Sequence, residues 1–179
     1  MIRGLNKITE SAGLGYMMSS YTAHTSYADA ERDAKRIAAD LMLAGLVVFA
    51  PIAYAPAIER IMLEGMLEED KKAIQSHEFW MPLDERFFDR CDYGLLAMTP
   101  GWHKSTGIAI EVYALTQAGK PIWFYNDQTN RIMTMDEVHD DFEIELDVLL
   151  TNAKKLQLTH LNRLTSLTTA ALAEVLTDG

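Results

Sequence analysis

The sequence predicts an α/β fold: a doubly wound, flavodoxin-like parallel sheet of about five strands flanked by helices. Three observations predict it. Short apolar runs recur along the chain, segments with apolar residues at helical spacing lie between them, and Gly or Pro separates the two patterns. Uninterrupted apolar strands of this kind are typical of parallel sheets that are covered on both faces.

The first half of the chain predicts a strand, a helix and a second strand. Residues 15–19 form a short apolar run closed by polar residues, and residues 27–44 have apolar residues at helical spacing. Ser26 is placed to cap that helix, and Gly45 is placed to end it. Residues 46–50 are continuously apolar and are stopped by Pro51, which predicts the second strand.

Residues 1–14 are predicted to be a lead-in before the first strand. The second half of the chain continues the alternation of strands and helices and then changes character. Later segments are predicted as helices 56–74 and 79–90, strand 93–98, helix 105–118, strand 122–125, a polar loop 126–141 and a mostly helical, Leu-rich segment 142–176. We therefore expect an α/β domain over residues 1–141 and a C-terminal helical extension over residues 142–179. The extension is interpreted either as a helix that packs on the domain or as a means of self-association.

Composition excludes several classes of protein. The chain has 179 residues, 49% of them hydrophobic, which suits one domain, and its formal net charge of -10 argues against a general nucleic-acid binder. Cys91 is the only cysteine, so an intrachain disulfide is impossible. The five histidines have no metal-ligand spacing, so no metal is expected. Apolar runs are too short to span a bilayer, and we expect a cytoplasmic protein without membrane contact.

The segment from Asp92 to Glu111 is the first candidate site, because it predicts a buried strand, a polar loop and the start of a helix. In open α/β sheets, ligands bind outside the carboxyl ends of the strands. The loop contains Ser105 and Gly107 at the helix start, where backbone amides bind anions. It matches neither a Walker loop nor a dinucleotide Gly-x-Gly-x-x-Gly motif.

Two further side chains of this loop suggest ligand contacts. Lys104 would add positive charge, and Trp102 would offer a flat face to a base.

Three other positions carry candidate chemistry, each with a structural alternative. Ser19 and Ser20 lie at the end of the first strand, where hydroxyls bind phosphate or sugar oxygens or simply satisfy a turn. Asp84 is either a site carboxylate or a first-turn helix residue. Glu111 lies among apolar neighbours, which is costly unless the carboxylate is paired or used. It is therefore either an ion-pair partner of a distant cation or a nucleophile or base.

Taken in order, several of these motifs resemble the nucleoside 2-deoxyribosyltransferase-like superfamily over roughly residues 14–126. The motifs are Tyr16-x-x-x-Ser20, a helix with Arg32 and Arg36, Val48-Phe49-Ala50-Pro51, Asp84 before the Cys91-Asp92 strand start, Ser105-x-Gly107-x-x-x-Glu111-x-x-x-Ala114, and Gly119-Lys120-Pro121-Ile122. That superfamily includes nucleoside deoxyribosyltransferases and 2'-deoxynucleoside 5'-monophosphate N-glycosidases.

The resemblance implies a role for each matching residue. Glu111 would attack C1' of the sugar, as the carboxylate does in retaining glycosidases. Asp84 would contact the leaving base and assist its protonation. Tyr16 would orient Glu111 by a hydrogen bond, and Ser20 and Ser105 would bind a 5'-phosphate.

The resulting expectation is an enzyme that breaks or transfers the N-glycosidic bond of a (deoxy)nucleoside 5'-monophosphate, without a cofactor and as a homo-oligomer. Lys104 favours the monophosphate over the free nucleoside. The alternative is a non-catalytic nucleotide-binding or sensing domain, since fold does not fix function. Cleavage of NAD at the nicotinamide bond is a third, less favoured reading, because the short first loop gives no clear dinucleotide pocket.

Overall fold

The computed structural model describes residues 1–9 and 13–155 and confirms the doubly wound α/β fold. Its single sheet has five strands in the order β2-β1-β3-β4-β5. The first four strands are parallel, and β5 is antiparallel to β4. The strands are β1 (Leu14–Met18), β2 (Val47–Phe49), β3 (Tyr93–Ala97), β4 (Ile122–Asn126) and β5 (Arg131–Met133).

Helices cover both faces of this sheet. They are α1 (Asn6–Thr9), α2 (Tyr27–Leu43), α3 (Pro51–Leu63), α4 (Glu68–Ile74), α5 (His77–Arg90), α6 (Thr106–Gln117) and α7, which comprises residues 135–155. One core contains Ile37 and Leu41 of α2. The other contains Ile108 and Val112 of α6 together with Phe88 of α5. β3 is buried along its whole length, as expected for a central parallel strand.

Local sequence signals set several of these boundaries. The Ser26 side chain accepts a hydrogen bond from the backbone N–H of Asp29, at 3.1 Å, and so caps α2 as predicted. Gly45 follows that helix with a φ of 94°, a left-handed conformation that glycine adopts readily. Ser105 caps α6 in the same way as Ser26 caps α2, with its hydroxyl 3.3 Å from the backbone nitrogen of Ile108.

The helical excursion after β2 differs from the prediction of one helix over 56–74. It consists of two helices, α3 and α4, and Gly65 with a φ of 76° lies between them. The first of them begins at Pro51, which the sequence analysis used only as the end of a strand. Proline suits the first turn of a helix because its missing N–H would have no intrahelical partner there. This earlier start matters because it brings the first turn of α3 to the edge of the sheet.

The prediction of a polar loop over 126–141 was wrong. β5 lies within it, and α7 begins at residue 135. A strand of three residues is too short to show a period, and Asn130, with a φ of 51°, makes the tight turn before it. The proposed domain boundary at 141/142 falls inside α7, whose residues Leu146 and Leu149 are buried in the same core as α6. Leu156, Leu164, Leu167 and Leu172 lie outside the described residues.

Within the described part of the chain, no helix is long and apolar enough to cross a membrane.

Candidate functional site

A cavity of about 570 Å³ opens at the carboxyl ends of β1 and β3. Most of its lining comes from the residues that follow β1, the inner face of α3, one side of α5 and the first turns of α6. Phe49 at the end of β2 and residues 75–76 before α5 line it as well. The volume lies in the range of small-molecule sites, and the position is the one where open α/β sheets bind ligands. The cavity therefore includes the helix start, residues 105–111, of the strand-loop-helix segment that the sequence identified.

Glu111 lines this cavity and accepts a hydrogen bond from Tyr16. The Tyr16 hydroxyl donates to Oε1 of Glu111 at 3.1 Å. Tyr16 is itself fully buried on β1, where its ring packs 4.5 Å from Phe88 and 5.9 Å from Phe49, measured between ring centroids. Because this packing fixes the ring, the hydroxyl holds the Glu111 carboxylate in one orientation.

Asp84 reaches the same place from α5. Its side chain is buried, lines the cavity and hydrogen-bonds to the Tyr16 hydroxyl. The structure thus brings together three residues that are far apart in the sequence: Tyr16 from β1, Asp84 from α5 and Glu111 from α6. Two carboxyl groups in contact with one phenol form an arrangement in which a proton can move between acidic groups.

Burial and like charge perturb these groups strongly. The pKa of Glu111 is raised well above its usual value, first by burial and then by the charge of Asp84, while the Tyr16 hydrogen bond acts in the opposite direction. Burial, Glu111 and Asp84 together raise the pKa of Tyr16, so the phenol stays protonated and donates. Perturbed titratable groups in a cleft are typical of functional sites.

The start of α6 forms a second part of the cavity wall. Ser105, Thr106 and Gly107 line it. A Cβ placed on Gly107 would touch only the Ser105 hydroxyl, at 3.8 Å, and would otherwise meet open space. Ser19 is also buried and lines the cavity, and its hydroxyl has no hydrogen-bond partner among the described residues. Backbone amides at a helix start together with a free hydroxyl can bind an anionic group.

The remaining wall is apolar and largely aromatic. Phe49 of β2 stacks on Phe87 with ring centroids 3.6 Å apart and planes inclined by 7°. Trp80 is fixed by a hydrogen bond from its indole N–H to the Ile74 carbonyl at 3.0 Å. Ile52, Tyr54 and Leu83 complete this side. Flat, rigid surfaces of this kind suit a planar ring such as a nucleobase.

A family model described as "Domain of unknown function (DUF1937)" matches residues 14–127. The chain belongs to this family. The matched DUF1937 domain spans β1 to β4, and all cavity-lining residues, from Ser19 to Glu111, fall inside it. No curated protein matches the sequence. The cavity therefore lies within the matched part of the chain, while β5 and α7 lie beyond the matched residues.

Five residues proposed from the sequence of the DUF1937 domain line the cavity: Ser19, Asp84, Ser105, Gly107 and Glu111. Tyr16 lies directly behind Glu111 and contacts it. Ser20 does not line the cavity: its side chain is fully buried, and its backbone N–H donates to the Thr99 hydroxyl at 3.3 Å. The expectation that Ser20 contacts the ligand is corrected accordingly, because its neighbour Ser19 occupies that position.

Trp102 and Lys104 also lie away from the cavity wall. Trp102 is buried in the core, with its ring 6.0 Å from that of Phe124, so it presents no free face to a base. Lys104 is exposed at the end of the short 3₁₀ turn 102–104. The reason is the turn itself, which Gly101 enters with a φ of 70° and which directs the indole towards the sheet. Trp80 provides the aromatic surface that the sequence assigned to Trp102.

Sequence reasoning about the DUF1937 domain missed the α3 face of the cavity. The residues are Pro51, Ile52, Tyr54, Ala55, Pro56 and Glu59. Their spacing follows one side of a helix that starts at Pro51, so the signal became visible only with the correct helix start. Among the described residues, no cluster of three or more His, Cys, Asp or Glu side chains could hold a metal ion.

Proposed function

We propose that this protein cleaves the N-glycosidic bond of a (deoxy)nucleoside 5'-monophosphate, by hydrolysis or by transfer of the sugar, with Glu111 as the nucleophile. The observation that carries the proposal is the contact of Tyr16 with Glu111 at 3.1 Å, beside Asp84, inside a cavity of about 570 Å³. It is the arrangement that the motif resemblance to the nucleoside 2-deoxyribosyltransferase-like superfamily implies, and membership of that superfamily is part of the proposal.

The chemistry uses each of the three residues. A carboxylate oxygen of Glu111 attacks C1' of the sugar, and the bonding electron pair of the glycosidic bond leaves on the base nitrogen. Asp84 gives a proton to the leaving base as general acid. The resulting glycosyl ester on Glu111 is then broken by water or by a second base, with Asp84 accepting the proton of the incoming nucleophile.

This division of labour requires one proton and one negative charge in the carboxyl pair. Two carboxyl groups this close share one negative charge more readily than two, because the charge of Asp84 raises the pKa of Glu111. Reaction requires the proton on Asp84 and the charge on Glu111. The Tyr16 hydrogen bond favours the ionised form of Glu111 and therefore this distribution.

The 5'-monophosphate part of the proposal rests on the start of α6. Ser105 and Gly107 line the cavity there, and so does Ser19, whose hydroxyl has no hydrogen-bond partner among the described residues. Lys104, which first suggested a phosphate, does not contribute to the lining. Phosphate binding would therefore depend on backbone amides and hydroxyls rather than on a cation.

The second candidate is a non-catalytic nucleotide-binding domain, and one observation favours it. The raised pKa of Glu111 means that the carboxyl group is protonated over a wider pH range than an ordinary glutamate, and a protonated carboxyl is a poor nucleophile. Tight binding of nucleotides without turnover, measured by calorimetry, would support this candidate.

Base release by the Glu111→Gln variant tests the proposal. We expect wild-type protein to release free base from a susceptible nucleoside or 5'-monophosphate, separated by chromatography. Glu111→Gln is expected to abolish release while calorimetric binding survives. Glu85→Gln, an exposed position next to Asp84 that does not line the cavity, is the matched control. Unchanged release by Glu111→Gln would exclude Glu111 as nucleophile.

A cytoplasmic location and a homo-oligomeric assembly stay predictions.

A further inference from the structure

Glu59 is a cavity residue that the proposed chemistry does not use. It lies on the inner face of α3, lines the cavity and is partly buried. No hydrogen bond or ion pair joins its carboxylate to another described residue. A carboxylate that is partly removed from water usually has a partner, so its position at a cavity wall points to a ligand.

The adjacent cation is engaged elsewhere. Arg60 is directed to Glu31 of α2, with its two terminal nitrogens 2.7 and 3.1 Å from the two carboxylate oxygens. Lys35 adds a third contact to Glu31 at 2.5 Å, and the pKa of Glu31 is lowered to about 2, chiefly by Arg60. This cluster joins α2 to α3 and keeps the guanidinium bonded to Glu31. Glu59 therefore stays available to the cavity.

Tyr21 lies beside Glu59 in the lining of the cavity. Its ring stacks on Tyr27 with centroids 4.6 Å apart and an interplanar angle of 17°. Burial and the neighbouring charge of Glu59 raise the pKa of Tyr21. Both side chains line the cavity, so a phenol and a carboxylate face the same space.

This pair is separate from the Tyr16, Asp84 and Glu111 group. The charge of Asp84 acts on both Tyr16 and Glu111, whereas Glu59 acts on Tyr21 and Arg60 and on neither of those two. The cavity lining thus contains two distinct groups of acidic and phenolic side chains, and apolar residues such as Ile52 and Leu83 line it as well. Neither Lys, Arg nor His lines the cavity among the described residues.

We propose that Glu59 and Tyr21 form a specificity site that accepts a hydrogen bond from a neutral donor of the substrate, an amino or hydroxyl group remote from the bond that Glu111 attacks. The inference rests on the proposed function, which supplies a substrate with a base and a sugar. The donor is either an exocyclic amine of the base or a sugar hydroxyl. An anionic group is disfavoured beside Glu59 and Tyr21 because the Glu59 carboxylate would repel it.

Paired substrates test the assignment. One pair consists of purine nucleoside 5'-monophosphates with and without an exocyclic amino group, and the other of nucleoside 5'-monophosphates with and without a 3'-hydroxyl. Glu59→Ala is expected to raise KM about 10-fold or more for the compound that carries the recognised donor, because that donor then lacks an acceptor in the cavity. KM for the partner compound without the donor is expected to stay unchanged. The affected pair identifies the donor.

Two further variants keep the test independent of folding effects. Glu59→Gln retains an acceptor oxygen and should lose less than Glu59→Ala. Glu64→Gln, an exposed glutamate at the end of α3 that does not line the cavity, should match wild type. Equal losses for all compounds, or no loss for any, would overturn the assignment.

Calorimetry in a Glu111→Gln background separates this inference from the proposed function. If wild-type protein releases no base but donor-dependent binding is lost in Glu111→Gln/Glu59→Ala, the proposed function fails and the specificity site stands. If base is released and the double variant binds both members of each pair like Glu111→Gln, the specificity site fails and the proposed function stands.

Discussion

The Tyr16 hydroxyl donates to Glu111 Oε1 at 3.1 Å, and this contact joins the interior strand β1 to the first turns of α6. The two residues are 95 positions apart in the sequence. Tyr16 is fully buried and its ring is held by Phe88, so the hydroxyl has little freedom. The contact therefore fixes the carboxylate that the proposed reaction requires and favours its charged form.

The Tyr16→Phe variant is expected to lower kcat by about 10- to 100-fold, the usual worth of a hydrogen bond to a charged group. Removing this bond should also raise the pKa of Glu111 further, since the bond lowers it. Because Glu111 must be ionised to attack, the rising part of the pH-rate profile should move to higher pH. Tyr125→Phe, whose hydroxyl bonds Asn130 away from the cavity, is the control. A profile that does not move would contradict the orienting role.

The Glu111→Gln variant is expected to be more stable than the wild-type protein, by an amount that grows as the pH rises. The pKa of Glu111 in the folded chain lies above its ordinary value of 4.5, so the folded state holds this proton more tightly than the unfolded state. The associated stability is complete below about pH 4.5 and is lost as pH rises towards the folded pKa. Glu111→Gln avoids that loss.

Melting temperatures of both proteins check this at about pH 5 and about pH 8. The advantage of Glu111→Gln should be larger at the higher pH. Glu31 and Glu137, whose pKa values are lowered to about 2, act equally in both proteins and cancel in the difference. A difference that shrinks with pH would mean that Glu111 is not held in its protonated form.

The order of strands and helices could be predicted from the sequence because it depends on local periodicity. Runs such as Val47–Phe49 and Tyr93–Ala97 are apolar, and Ser26 and Ser105 are recognisable caps. The short strand Arg131–Met133 could not be predicted, because it depends on pairing with β4 rather than on its own pattern.

The site residues divide in the same way, into those with a local sequence signal and those that depend on tertiary structure. Glu111 could be proposed because a carboxylate among apolar neighbours is costly unless it is paired or used, whereas Asp84 was proposed only from the motif resemblance. The direction of Trp102 could not be inferred, since a left-handed Gly101 and a 3₁₀ turn decide it. Glu59 was missed because α3 begins at Pro51 and not at residue 56, and the face of the helix that lines the cavity can be recognised only from the correct start.

Trp102→Ala is expected to lower the stability of the protein, and Lys104→Ala is expected to leave it unchanged. Trp102 is buried against Phe124, so its truncation should cost about 3–5 kcal/mol of stability. Lys104 is exposed and does not line the cavity, so Lys104→Ala should leave both stability and kcat/KM unchanged. Chemical denaturation and base release measure the two properties. A stable Trp102→Ala variant with a raised KM would instead restore Trp102 as a base-binding residue.

Leu149→Ala is expected to destabilise the whole domain by about 2–5 kcal/mol, the usual cost for a fully buried leucine. The reason is that α7 packs in the same core as Val112 and Phe124 and is not an independent appendage. Ile144→Ala, on the same helix but 77% exposed, is the control and should have little effect. Urea denaturation should show one cooperative transition for each variant. A separate early transition in Leu149→Ala would indicate that α7 unfolds by itself.

Asp84→Asn is expected to lower kcat for base release by about 100- to 10,000-fold, the range of general acid catalysis. Asparagine preserves the shape of the side chain but cannot give a proton to the leaving base. Substrates whose base needs no protonation should therefore lose much less, and comparing them with ordinary substrates measures the contribution of Asp84. The same change removes a negative charge that raises the pKa of Glu111, so the rising part of the pH-rate profile should move to lower pH. Equal losses for both classes of leaving group would show that Asp84 positions the substrate and does not transfer a proton.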